Sequence, residues 1–330
     1  MRILHRAGLA LAFMAAAAAA PAQQQQTIVT IVKVSGIPWF ERMEEGVKAF
    51  EESSPGVSTR QVGPAEAVAA PQVKLIEEVM ARRADAIAIV PTDPAAIEEV
   101  AGRALRSGIV VVTHEADNQK NTLADIEAFD NAAFGASLNE RMAQCMGRTG
   151  KWTSFVGTRG SRTHVQWAEG GAANARKHAG MVLVDALNES HDDADKAYER
   201  AKAVLKKHPD IKGFQGSASS DVIGIGRAIE EAGLQGKTCV YGTGLPSRTA
   251  KLLESGAVKG IGFWDPKNAG LAMNRVAKLL LDKKPITDGM DLGVPGYGKV
   301  TVTKGAGLGV VITGKADVIA DKATYRAYPF

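Results

Sequence analysis

Cysteine is almost missing from this sequence: Cys145 and Cys239 are the whole complement of its 330 residues. Two thiols cannot build a disulfide framework, even in an oxidising compartment, so the fold must rest on an apolar core. Both are read as buried thiols, with one long-range bridge as the other reading. A marked excess of either charge is missing as well. The 40 Lys and Arg stand against 36 Asp and Glu, interspersed along helical stretches, which argues against nucleic acid or a membrane surface as partner. In GTRGSRTHVQWAEGG no Lys-Ser/Thr follows the glycines at a Walker spacing, so this is not a phosphate loop. No nucleophile motif is present, and His114 and His164 have no cysteine beside them to complete a metal-ligand set. These absences point away from an enzyme, a metal or any other cofactor.

Hydrophobic runs long enough to concern a membrane are confined to the beginning. Residues 1–22, MRILHRAGLALAFMAAAAAAPA, carry Arg2 and Arg6, then an alanine-rich apolar run, then Ala20-Pro21-Ala22. That is the pattern of a cleaved secretory signal, with cleavage expected near Ala22. A membrane anchor needs a longer and more hydrophobic span, and no cysteine follows the run to carry a lipid. The expected product is a soluble periplasmic monomer beginning near Gln23. Losing Arg2 and Arg6 lowers the net charge from +4 to about +2.

What is present is a repeated strand-then-helix grammar. TIVTIVKV precedes an amphipathic stretch from Trp39 to Glu52, and ADAIAIV and IVVVTHEAD each follow a helical stretch. The apolar runs are short, β-branched and not alternating, as in parallel strands covered on both faces. The grammar restarts after NQKNTLADIEAFDN, with helices expected over 132–146, 166–178, 193–207, 221–232 and 266–282. A chain of about 300 residues usually divides into two cores. The sequence therefore predicts an α/β protein of two doubly wound parallel-sheet lobes. Residues 27–125 plus 264–290 form the expected first lobe, and 126–263 plus 291–330 the second.

Open parallel sheets bind ligands beyond the carboxyl ends of their strands, which turns the strand ends into site candidates. Lys33 ends the first strand ahead of SGIPWF, where an ammonium offers three donors to ligand oxygens. One of Trp39 and Phe40 is expected as a platform for the C–H face of a sugar ring, the other as a packed helix residue. Asp93 follows ADAIAIV. In VVVTHEAD, Glu115 and Asp117 read either as an acid–base pair or as ionised carboxylates accepting charge-assisted hydrogen bonds from neutral hydroxyls, and the second is favoured. Arg159 and His164 are the polar candidates of GTRGSRTHVQWAEGG, with Trp167 read as a packed helix residue. Asp130 in EAFDN, and Trp264 and Asp265 in GFWD, fall at the expected lobe crossings, where polar groups serve a ligand or a hinge.

Together DAIAIVPTDPAAI, ALRSGIVVVTHEAD, FDN and GIGFWDPKNAG resemble the type I periplasmic substrate-binding proteins of ABC sugar importers, over essentially the whole expected mature chain. VKVSG and LLLDKKPITDGMDLGVPGYGKVTV are most similar to the branch of autoinducer-2 and rhamnose binding proteins. The resemblance implies a hinge of three crossovers, a sugar held between the lobes, and delivery to a membrane permease, with a chemoreceptor or sensor as a further partner. It places the ligand-contacting lysine on Lys33, the first-lobe carboxylate on Glu115 or Asp117, and second-lobe contacts on Thr163, His164, Ser217 and Ser219. Threonine, histidine and serine replace an aspartate, a glutamine, a proline and an alanine of the autoinducer-2 pattern. Those departures favour another pentose, a deoxyhexose or a polyol, with autoinducer-2 and a sugar-processing enzyme as the alternatives.

Overall fold

The computed structural model describes residues 25–330; the expected signal segment lies outside the described residues. The first lobe runs β1 (Gln26–Ile31), α1 (Pro38–Glu52), β2 (Val57–Val62), α2 (Ala69–Ala81), β3 (Ala86–Ile89), α3 (Pro94–Arg106), β4 (Val110–His114) and β5 (Ala124–Glu127). The second runs α4 (Asn131–Cys145), β6 (Thr149–Val156), α5 (Arg162–Ala175), β7 (Gly180–Leu183), β8 (Asn188–Glu189), α6 (Ala194–Lys207), β9 (Gly213–Gly216), α7 (Asp221–Glu231), β10 (Cys239–Thr243), α8 (Pro246–Ser255) and β11 (Gly260–Phe263). The chain closes with α9 (Pro266–Leu281), β12 (Thr301–Lys304), β13 (Val310–Thr313) and β14 (Val318–Asp321).

One sheet has the order β12-β13-β5-β4-β3-β1-β2 and the other β14-β11-β10-β9-β6-β7. The consecutive strands of each lobe pair in parallel; β12 and β14 are antiparallel edges. Unbroken apolar runs form these strands because both faces are covered. Val29 and Ile31, with Ile87, Ile89 and Val111, meet Ile76 and Val79 of α2 and Ile97 and Val100 of α3. Ile28, with Ala86, Ala88 and Val112, turns to the other face, toward Met43 of α1 and Met273 of α9. There α1 and α9 cross so closely that a Cβ on Gly46 would stand 1.9 Å from the Lys267 carbonyl oxygen. Only glycine permits that approach.

The chain passes between the lobes three times, after β5, after β11 and after β13. The last passage corrects the expected boundaries: β12 and β13 extend the first sheet, with Ile312 paired to Ile126, so of residues 291–330 only β14 joins the second sheet. Periodicity marked these strands without showing which sheet edge was open to them. The reading of the cysteines is corrected too. Cys145 ends α4 and Cys239 opens β10, and they form a disulfide, with Cys239 buried and Cys145 exposed.

Candidate functional site

The carboxyl ends of both sheets face each other across the lobe boundary. Just past β1, Lys33 is buried and its Nζ lies 2.5 Å from Glu115 Oε2, just past β4. The same ammonium donates to Ser161 Oγ of the opposite lobe at 3.2 Å. Thr163 Oγ1, in the first turn of α5, donates to Glu115 Oε2 at 3.1 Å. Sequence expected this helix to begin at Gln166; it begins at Arg162, which brings Thr163 and His164 to its cleft-facing end. Burial alone would raise the Glu115 carboxyl, but the Lys33 ammonium beside it chiefly outweighs that and holds it at about 2. Glu115 also adopts φ +62°, a conformation uncommon for a side chain other than glycine. Backbone strain at the ion pair is the kind that clusters at functional sites.

His164 Nδ1 accepts the Gly157 N–H at 3.0 Å, so the neutral ring carries its proton on Nε2. Burial, helped by Lys33, holds its pKa well below the ordinary value, which keeps the ring neutral. Ser217 Oγ donates to the His164 carbonyl at 3.1 Å. The aromatic wall comes from both lobes and a crossing: Trp39 meets Trp264 edge to face at 4.6 Å, and Trp264 in turn meets Phe129 and Trp167. Trp264 Nε1 and Thr243 Oγ1 are buried without a protein partner among the described residues.

Lys33, Trp39, Phe40, Glu115, His164, Ser217, Ser219 and Trp264 thus line one inner chamber, and Thr163 closes it through Glu115. Both aromatics of the first turn of α1 reach it, where only one was expected to. The remaining candidates do other work. Asp117 accepts from Arg162 and Gln166, each at 2.7 Å, and so clasps the lobes beside the chamber. Asp93, Asp130 and Asp265 are helix caps, accepting the N–H groups of Ala95, Ala133 and Lys267. Such caps are worth about 1 kcal/mol each. Asp265 also accepts from two Arg42 nitrogens, Nε at 2.9 Å and Nη2 at 2.8 Å. Arg159 is exposed, and its Nε donates to the Leu187 carbonyl away from the chamber. A strand-end position alone does not distinguish an aspartate that caps the next helix from one that faces a ligand.

Sequence reasoning missed Asp192, reached Ile37 and Thr243 only as members of strand-end stretches, and read Trp167 as a packed helix residue; all four line the chamber. Asp192 sits in a turn at φ +54°, and among the described residues its carboxylate meets no hydrogen-bond donor. The run ESHDDAD was legible as acidic, but nothing in it shows which carboxylate turns inward. The inner chamber leaves about 20 Å³ open, room for about one water. An outer chamber of about 310 Å³ adjoins it, sharing Ile37, Trp39, Asp192 and Ser219.

Asp221 supports the floor of the site. Its Oδ2 accepts the N–H groups of Ser217 and Ala218 at 3.0 and 2.8 Å, while burial pushes its carboxyl up to about 7. A carboxyl raised by folding adds stability that is complete below its ordinary pKa and lost as pH rises through the folded value. Asn at this position keeps an acceptor oxygen and cannot titrate. Relative to Asp221→Asn, the wild type is expected to lose about 1.4 kcal/mol per pH unit between roughly pH 4 and 7, and nothing further above. The other buried groups with shifted pKa values, His114, His164, Asp125, Glu127 and Asp192, are present in both proteins, so the difference between the two denaturant melts across pH reports Asp221. A constant gap from pH 4 to 8 would refute its neutral burial.

Residues 28–285 match the periplasmic binding protein domain family. By sequence, the D-allose-binding periplasmic protein of Escherichia coli (strain K12) is 27% identical over 249 residues, which cover 73% of this chain and 79% of that protein. By structure, an ABC transporter solute-binding protein from Clostridium phytofermentas with bound L-rhamnose superposes with a TM-score of 0.86 at 20% identity, covering 92% of this chain and 98% of its own. LsrB from Clostridium saccharobutylicum in complex with AI-2 gives 0.84 at 19% identity, covering 92% and 100%. At those identities the structural likeness establishes the two-lobed fold.

Proposed function

The chain belongs to the periplasmic binding protein domain family, and from that membership we propose that it captures a neutral monosaccharide or polyol between its lobes and delivers it to an ABC permease. The observation that carries the ligand class is the chamber itself, where one ammonium, two carboxylates, a neutral imidazole and hydroxyls converge beside aromatic walls. Hydroxyl groups both donate and accept, so they satisfy Glu115 and Asp192 on one side and Lys33, His164 and Trp264 Nε1–H on the other. Trp39 offers an apolar surface for the C–H face of a ring. An anionic ligand would meet two carboxylates against one lysine. The allose-binding relative and the rhamnose complex support the same class. Export to the periplasm, monomeric state and a permease partner belong to this reading; a sensor is a further partner to test.

With about 20 Å³ open in the inner chamber, a sugar must part the lobes and take over bonds that now run between Lys33, Ser161, Glu115 and Thr163. Calorimetry and thermal melts on protein stripped of carried-over ligand, against allose, ribose, rhamnose, arabinose, their alditols and autoinducer-2, test the class. A true ligand at a hundredfold excess over Kd adds about 2.7 kcal/mol of stability. A panel in which no compound moves the melt would exclude the sugar class.

A further inference from the structure

We propose that the outer chamber is a second subsite, taking a neutral unit joined to the sugar of the inner chamber, as in a disaccharide or an alkyl glycoside. The proposal rests on the sugar-binding reading above. The two chambers are one continuous cleft, since Ile37, Trp39, Asp192 and Ser219 border both. The outer one is much the larger, about 310 Å³ against about 20 Å³, and reaches the size of small-molecule pockets, about 300–1,000 Å³. Its lining includes apolar side chains from both lobes, Ile37 and Pro38 from the first and Ile223 and Leu245 from the second. Those side chains suit the C–H face of a second ring or an alkyl chain. Ser220 also lines the chamber, and its Oγ is buried without a protein partner among the described residues, so a turn about χ1 would let it bond a ligand hydroxyl.

Charge selects the kind of unit. Asp192, Asp193 and Asp195 approach the chamber against a single arginine, Arg248. Asp193 caps α6 and Asp195 pairs with Arg227, but Asp192 has no such partner. A phosphate or uronate in the chamber would meet repulsion, whereas a neutral unit would not.

The test is calorimetric titration of the stripped protein with each monosaccharide that moves its melt, its α- and β-butyl glycosides, and disaccharides containing it. At least one extended ligand is expected to bind tenfold or more tightly than the parent sugar. Ile223→Trp fills the chamber and should abolish that gain while leaving the parent sugar within about twofold of its wild-type affinity. Arg248→Trp, at an exposed rim position, serves should the first variant not fold. If the parent sugar binds and no extended ligand gains over it, the chamber is only a doorway; the proposal falls and the sugar-binding reading stands. A gain that survives filling places the unit elsewhere and also overturns the proposal. If sugars bind in neither form, the reading falls and the subsite with it.

Discussion

Lys33→Ala is expected to destabilise the protein by about 3–5 kcal/mol, the cost of removing one partner from a buried ion pair, in addition to weakening sugar binding. The sequence reads Lys33 as a strand-end ammonium holding a ligand oxygen, a role whose loss weakens binding and changes folding little. The structure revises that expectation, because its ammonium is buried 2.5 Å from an equally buried Glu115. Truncation leaves that carboxylate without the charge that chiefly holds its pKa at about 2, so it must stay ionised and unpaired or take up a proton. Replacing both partners by neutral groups of similar shape avoids the stranded charge, and such exchanges are often neutral or stabilising. Lys33→Met combined with Glu115→Gln should therefore recover most of the lost stability. It should not recover binding, since a charge-assisted hydrogen bond to the ligand is worth about 1.5–3 kcal/mol. Denaturant melts and calorimetry on the single and double variants separate the two effects. A Lys33→Ala protein as stable as wild type would contradict the buried pair, and a double variant that binds its sugar undiminished would remove both residues from the site.

The fold was legible because its signals are local and repeated. β-Branched runs such as Ile28–Ile31 and Ile87–Ile89, each joined to an amphipathic helix, state a parallel sheet covered on both faces without help from distant residues. The chamber was legible as far as the strand-end rule reaches, to Lys33, Glu115, His164 and Ser217. It stopped where two roles share one position. Asp93, Asp130 and Asp265 each follow a strand and open a helix, and the free N–H groups of the helix claimed their carboxylates. Asp192 was hidden for the converse reason: it lies in a turn between a two-residue strand and α6, where no periodic pattern fixes the direction of a side chain. The placement of β12 and β13 depended on an exposed edge of the first sheet, a property of the assembled lobe that no segment carries by itself.

The disulfide is the other feature that sequence spacing could not decide, and removing it should have the largest effect on stability outside the cleft. Cys145 and Cys239 are 94 positions apart, so the bridge closes a loop whose entropy loss in the unfolded chain corresponds to about 4–5 kcal/mol on the chain-entropy estimate. Within the second lobe it joins the end of α4 to the start of β10, beside a cluster of Met142, Met146, Trp152 and Ala175. Cys239 opens its strand at the amino end, whereas Thr243, which lines the inner chamber, ends it. The bridge and the ligand therefore occupy opposite ends of β10. The Cys145→Ser, Cys239→Ser double variant is expected to lose most of that stability and to bind its sugar with unchanged affinity once folded. Exposure of Cys145 makes the wild-type bridge accessible to reductant, and treatment with dithiothreitol should reproduce the variant's melt. Such a dependence on oxidation agrees with the proposed export to the periplasm, where disulfides form and persist. Equal stability of the oxidised, reduced and serine forms would show that the bridge contributes nothing to the fold, and a fall in affinity that persists below the melting transition would show that the two ends of β10 are coupled.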